Sequence, residues 1–251
     1  TVISQAVSVI LCLIKLIKDK TDYQVIIKEI AFDKDTLIDI LRNGLPAGVQ
    51  NSVIGFANTV VQTNINMFGS IAVASAGIYK KLEGFAFLPI TSFTMALTTC
   101  IGQNMGAQKP ERAKSGAKFG IFCSMFLAEI IGVIFFLYGP YLMRLFNDSP
   151  EVIALGARQS KIESLFFMFL ALSHCIAAIL RGAGRATVPM VVMLSVWCGL
   201  RVTYLTVMLK FFPFVEIVFS CYPVTWSISS IIFILYLAKS NWASGTKKLS
   251  H

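Results

Sequence analysis

Long apolar runs, each broken by a few polar residues, set the pattern of this chain. They fall at about 2–17, 45–67, 72–105, 117–137, 161–180, 187–209 and 213–237. A helix crossing the hydrocarbon core needs roughly 20 mostly apolar residues. The pattern therefore predicts an all-α integral membrane protein with several spans. The first run is short and starts at Thr1. It reads as the end of a helix, and the chain as the carboxy-terminal part of a longer protein.

Polar residues inside the runs are the candidates for chemistry. The second run opens at Gly44-Leu45-Pro46, and proline suits a first helical turn, where its missing N–H would have no partner anyway. Asn51, Asn58 and Gln62 then share one helical face, and Asn66 continues it a turn later. Amides are costly in hydrocarbon unless hydrogen-bonded. The stripe is either glue between helices or the lining of a cavity that meets solute. After a tight Gly69-Ser70 break, the third run carries Lys80, Lys81 and Glu83. Lys80 and Glu83 stand three apart and can pair on one face, as a structural ion pair or in handling solute and protons. Pro89 predicts a kink. Glu129 is the one acid of the fourth run. Glu163 and His174 lie three turns apart in the fifth, on one face. The histidine is either a hydrogen-bonded neutral side chain or a proton carrier. In the sixth run Trp197, Arg201 and Tyr204 place an arginine among aromatics, and the seventh holds Tyr222-Pro223 and Trp226.

Composition agrees with a membrane protein. The chain is 56% hydrophobic and 14% charged, with a mean hydropathy of +0.72, against about 25% charged for soluble domains. The net charge of +9 raises nucleic acid as a partner, but its placement excludes that reading. Basic residues gather at 18–42, 109–118, Arg181, Arg185, Lys239, Lys247 and Lys248, and are sparse in the alternate loops. That alternation places 18–43, 107–116, 181–186 and the tail in the cytoplasm. Aromatics interleaved with basic residues on one surface, which nucleic-acid binding needs, are absent. The expected organisation is the end of a helix at 1–17, an amphipathic connector at 18–43, a six-helix transmembrane bundle at 44–238 and a cytoplasmic tail at 239–251.

Several site classes find no sequence support. The six cysteines all lie inside runs with no CxxC pair, so they read as buried apolar filler rather than as metal ligands or disulfides. Arg181-Gly182-Ala183-Gly184-Arg185 has the look of a phosphate loop, but no strand precedes it and no P-loop lysine follows. It reads as a tight turn. Enzyme signatures and cofactor motifs are missing.

An ordered series of short segments resembles the multidrug and toxic compound extrusion (MATE) family. It runs Gly44-Leu45-Pro46-Ala47-Gly48, Gly84-Phe85-Ala86-Phe87-Leu88-Pro89-Ile90, Gly102-Gln103-Asn104-Met105-Gly106-Ala107, Pro110-Glu111-Arg112-Ala113, Pro150-Glu151-Val152 and Leu180-Arg181-Gly182-Ala183-Gly184. The resemblance implies the second of two six-helix lobes, partnered by an amino-terminal lobe in the bacterial inner membrane. It implies export of drugs and organic cations by antiport with H⁺ or Na⁺, through one lobe rocking against the other. Asn51, Asn58, Gln62, Asn66 and Arg201 would line the substrate cavity, and Glu163, His174 and Glu83 would be the candidate proton carriers. NorM-like members carry an acid in the helix matching 45–67. This chain has none there, which assigns the coupling chemistry to the other half. A lipid-linked oligosaccharide flippase of the same superfamily is the alternative, with Lys80, Lys81 and Arg201 available for a diphosphate.

Overall fold

The computed structural model describes residues 2–18, 24–27 and 31–243, without the side chains of Asp39 and Asn43. Parts of the basic stretch 18–42 (19–23 and 28–30), and Lys247 and Lys248 of the tail, lie outside these residues. The described residues form two compact units, 1–41 and 42–251, and contain helices and turns with no strand.

In the first unit, α1 (Val2–Lys18) buries none of its residues. Beyond it Gln24 donates its side-chain amide to the Ile17 carbonyl at 2.7 Å. Asp33 caps the next helix, its carboxylate accepting from the Thr36 backbone N–H at 2.8 Å and from the Thr36 hydroxyl. A side-chain acceptor at this position satisfies one of the unpaired N–H groups of the first turn.

That next helix, α2 (Lys34–Asn66), corrects one expectation. It does not open at Gly44; Pro46 lies well inside it. A proline within an apolar helix forfeits one backbone bond but is tolerated where neighbouring groups satisfy what is freed. α3 (Ser70–Gly106), α4 (Pro110–Arg144) and α9 (Val215–Lys239) likewise run through Pro89, Pro140 and Pro223. Between α2 and α3, Gly69 adopts φ 88 and ψ −177, a backbone conformation nearly confined to glycine.

Among the described residues, five helical segments are long and apolar enough to cross a membrane: Ser70–Gly106, Pro110–Arg144, Pro150–Gly182, Thr187–Phe211 and Val215–Lys239. The first two runs of the sequence do not reach that standard, α1 because it has 17 residues and α2 because amides and charges dilute it. The third of the five is the most enclosed, with 67% of its apolar window buried. It consists of α5 (Pro150–Glu163), a 3₁₀ turn at Ser164–Phe166 and α6 (Phe167–Gly182). The fourth is interrupted too. α7 (Thr187–Met193) passes into a π-helical stretch, Leu194–Leu200, before α8 (Arg201–Phe211).

Small residues bring these helices together. A methyl group on Gly132 of α4 would lie 2.3 Å from the Ser164 carbonyl oxygen, and one on Gly182 2.6 Å from the Thr98 carbonyl. Polar bonds reinforce the packing. Ser160 donates to the Phe135 carbonyl at 2.7 Å, and the Ser173 hydroxyl lies 2.8 Å from both Ser229 and Ser230 of α9. The outer face of α4 is lined by exposed Phe119, Phe122 and Phe126, as a lipid-facing helix requires. Of the cysteines, Cys175 and Cys221 are buried while Cys12 is exposed, so burial does not account for all six.

Two helices end in the same hydrogen-bonded loop. After α6, the Arg185 N–H reaches the Leu180 carbonyl and Gly184 N–H the Arg181 carbonyl, with Gly184 at φ 73. After α3, Lys109 and Gln108 bond Asn104 and Met105 in the same way, with Gln108 at φ 56. These are Schellman ends. The arginine-flanked glycine turn is thus a helix terminator.

Candidate functional site

Within the second unit, α2, α3, α5, α6, the π stretch, α8 and α9 surround a cavity of about 410 Å³. Seven of the eight residues singled out from sequence line it: Asn51, Asn58, Gln62, Glu83, Glu163, His174 and Arg201. Asn66 does not. It is exposed near the end of α2, where its side-chain oxygen accepts from the Gln62 amide at 3.0 Å. The bond draws Asn66 along the helix rather than into the cavity.

Arg201 is the cation at the centre of the site, with 1% of its surface exposed. Its Nη1 donates to Asn58 Oδ1 at 3.3 Å and its Nη2 to Thr225 Oγ1 at 2.9 Å. Its guanidinium carbon lies 5.2 Å from the Trp197 ring centre and 4.7 Å from that of Tyr222, within cation–π range. Tyr204, grouped with Arg201 by spacing, turns away and shares a 2.9 Å hydrogen bond with Ser220. The widened π turn is held against α9 by Trp197, whose indole N–H donates to Ser229 at 3.1 Å.

Glu163 is buried at the end of α5, and its Oε1 accepts from the Gln159 amide at 2.9 Å. The 3₁₀ turn begins at the next residue. Glu83 reaches the same cavity from α3. Lys80 also lines it, but the expected ion pair with Glu83 does not form. Among the described residues the pairs within 4.0 Å are Lys114–Glu111 and Arg158–Glu216, both away from the cavity. Lys80 is exposed on its helix while Glu83 turns inward, so a spacing of three does not bring the charges together. His174 sits between the rings of Phe87 and Trp197, edge to face at 5.0 and 5.4 Å, and its Nε2 has no hydrogen-bond partner.

Sequence reasoning missed Tyr79 and Gln159, which also line the cavity, and named Tyr222 and Trp226 without placing them there. Gln159 was legible as the residue one turn before Glu163. Tyr222 belongs to the site only because α9 packs against the π stretch, which no local spacing reveals. Groups of three or more metal-ligating side chains do not occur among the described residues.

The site can receive a largely apolar molecule between aromatic walls and offer it both signs of charge. Cavities of about 300–1,000 Å³ suit drug-sized ligands. The family model described as MatE matches residues 46–207. Among curated relatives, a probable multidrug resistance protein NorM of Thermotoga maritima is 29% identical over 175 residues, 69% of this chain and 38% of its own length. A probable multidrug resistance protein YoeA of Bacillus subtilis is 23% identical over 241 residues, 94% of this chain and 52% of its own length. The chain thus spans about half the length of these relatives or less. Among solved structures, one of MATE in complex with MaL6 superposes with a TM-score of 0.86 at 16% identity, covering 93% of this chain and 53% of its own. A superfamily transporter from Pyrococcus furiosus, described as having a binding pocket of reversed polarity, superposes with 0.84 at 16% identity and the same coverage. At that identity the likeness concerns the fold alone.

Proposed function

Since this chain belongs to the multidrug and toxic compound extrusion family, whose members are transporters and not enzymes, we propose that it forms one lobe of a drug-efflux antiporter. The observation that carries the proposal is the convergence of amides, acids, an arginine and five aromatic side chains on one cavity. Residues 44–238 make up one lobe, and an amino-terminal lobe stands beside it within the bilayer. Drugs and organic cations bind through apolar contacts with Phe87, Trp197 and Trp226 and a few polar ones with Asn51, Asn58 and Gln62. Weak, adaptable contacts of this kind suit broad specificity. Efflux follows as the two lobes rock and expose the cavity to each side in turn. The carboxy terminus lies in the cytoplasm and the protein in the cytoplasmic membrane, by the distribution of basic loops.

Coupling to H⁺ or Na⁺ supplies the driving force. Glu163 is the first candidate to carry a proton in this lobe, being a buried acid on the cavity wall with a single amide donor. Glu83 and His174 complete the set. The flippase alternative is not favoured, because the curated relatives are described as multidrug resistance proteins.

The test uses the full-length protein in liposomes loaded with ethidium, with a pH gradient or a Na⁺ gradient imposed separately. Efflux driven by one gradient is expected, and Glu163→Gln should reduce proton-driven efflux while ethidium still binds. Folded protein that moves no dye under either gradient would refute the proposal.

A further inference from the structure

We propose that a second cavity, apart from the central one, holds the headgroup of phosphatidylethanolamine, with Arg144 on its phosphate and Asp148 on its ammonium. This cavity measures about 470 Å³ and lies between the end of α4 and the start of α5. It shares no lining residue with the central site, so the inference stands whether or not that site carries drugs.

Its position is that of a membrane boundary. The segments Pro110–Arg144 and Pro150–Gly182 are each long and apolar enough to cross a bilayer, and the cavity lies where the first ends and the second begins. Exposed Tyr138 and Tyr141 stand on α4 just before it, their ring centres 6.4 Å apart. Tyrosines collect at the level of lipid headgroups, where an apolar ring and a polar hydroxyl are both satisfied. Two charges border the cavity there without meeting. Arg144 and Asp148 form no ion pair within 4.0 Å, and neither side chain has a hydrogen-bond partner among the described residues. Arg158 of α5, by contrast, is engaged with Glu216 at 3.2 Å.

A ligand that answers both charges carries an anion and a cation close together, as phosphoethanolamine does. The guanidinium fork suits a phosphate. A purely anionic headgroup would satisfy Arg144 but be repelled by Asp148. The floor of the cavity completes the match. Pro140 lies one turn before Arg144 on the same face of α4, and Ile153, Ala154 and Ala157 line the cavity from α5. From water toward hydrocarbon the chain thus presents Asp148 in the loop, Arg144 in the last turn of α4, and then apolar side chains. A phospholipid in a bilayer presents its amine, its phosphate and its acyl chains in that order. Lys161 continues the α5 stripe one turn below Ala157 and is exposed. Helical side chains lean toward the helix N-terminus, so its ammonium rises toward the phosphate as a second cation.

Two lipids with the same dioleoyl chains test this. The full-length protein, stripped of lipid in detergent, is titrated with phosphatidylethanolamine or phosphatidylglycerol, and the tightest-bound lipid is followed by native mass spectrometry. Wild type should bind phosphatidylethanolamine about threefold more tightly, the scale of one partly exposed ion pair. Asp148→Asn should erase that preference by weakening phosphatidylethanolamine alone. Arg144→Met should weaken both lipids by about threefold. Arg112→Met, which removes a charge at the other end of α4, should leave phosphatidylethanolamine unchanged. Ala154→Trp fills the groove from an exposed position without altering charge, and should weaken both lipids. Equal binding of the two lipids by wild type, or tighter binding of phosphatidylglycerol, overturns the inference. So does a preference that survives Asp148→Asn, or an Ala154→Trp protein that binds both lipids as wild type does. If a variant at a charged position fails to fold, the wild-type preference and Ala154→Trp decide.

Discussion

Replacing Gly132 with alanine tests whether the central helix owes its position to one missing methyl group. The added Cβ would sit 2.3 Å from the Ser164 carbonyl oxygen and 3.2 Å from its carbonyl carbon. Ordinary contact begins near 3.4 Å, so α4 and the 3₁₀ turn must part by roughly 1 Å. Overpacking of this kind costs about 1–3 kcal/mol, and alanine returns up to about 1 kcal/mol of helix propensity. The net loss is about 1–2 kcal/mol, which lowers the melting temperature by roughly 2–8 °C for a chain of this size. Gly77→Ala is the control, since a Cβ there meets nothing within 4 Å. It should be neutral or slightly stabilising. Both variants of the full-length protein would be melted in detergent, following the folded fraction by size-exclusion chromatography. If Gly132→Ala melts no lower than Gly77→Ala, the close approach does not matter and the reasoning fails. Ser164 directly follows Glu163, so Gly132→Ala should also reduce proton-driven efflux.

Other outcomes follow from single contacts. Gln108 holds φ 56 at a helix end that Gly184 forms without strain elsewhere. Gln108→Gly should therefore stabilise by up to about 1 kcal/mol and Gly184→Ala destabilise by a similar amount, read in the same melts. Trp197→Phe removes the indole donor to Ser229 and should cost about 1 kcal/mol of stability, while also loosening dye binding because one wall of Arg201 weakens. Asp33 is held below the ordinary carboxylate range by hydrogen bonds from the Thr36 side chain and backbone. A depressed folded pKa gives stability that is present above the unfolded value and is lost as pH falls through the folded one. Protection of the Thr36 amide against exchange, taken relative to its intrinsic rate at each pH, should accordingly fall only in acid, and Asp33→Ala should remove that dependence; unchanged protection in the variant would contradict the capping role.

Much of this architecture is written in local spacing. Runs of apolar residues mark the helices, and the offsets among Asn51, Asn58 and Gln62 put three amides on one face because the helix repeats every 3.6 residues. The same rule fails at Asn66, where the competing partner Gln62 lies on the face itself. It fails at Lys80 and Glu83 because reach alone does not orient two side chains. Pro46 misleads because an apolar environment tolerates a proline that a soluble helix would place at its start. Tyr222 and Thr225 join Arg201 from another helix, and that meeting depends on how α8 and α9 pack, which is a property of the assembled bundle.

The π stretch ahead of Arg201 has a consequence in genetic terms. Its carbonyls bond five residues on rather than four, which is equivalent to one codon inserted into a regular helix. Deleting any one residue between 194 and 200 would let the span close up as an ordinary α-helix. Arg201 would keep nearly its present bearing, because the wide turn had already absorbed the extra residue, but the turn that sets Trp197 beside it would be lost. Length, hydropathy and overall charge of the span would hardly change. A frame-preserving deletion of three nucleotides could thus reshape the cavity wall beside its fixed cation while leaving a chain that still reads as the same membrane protein.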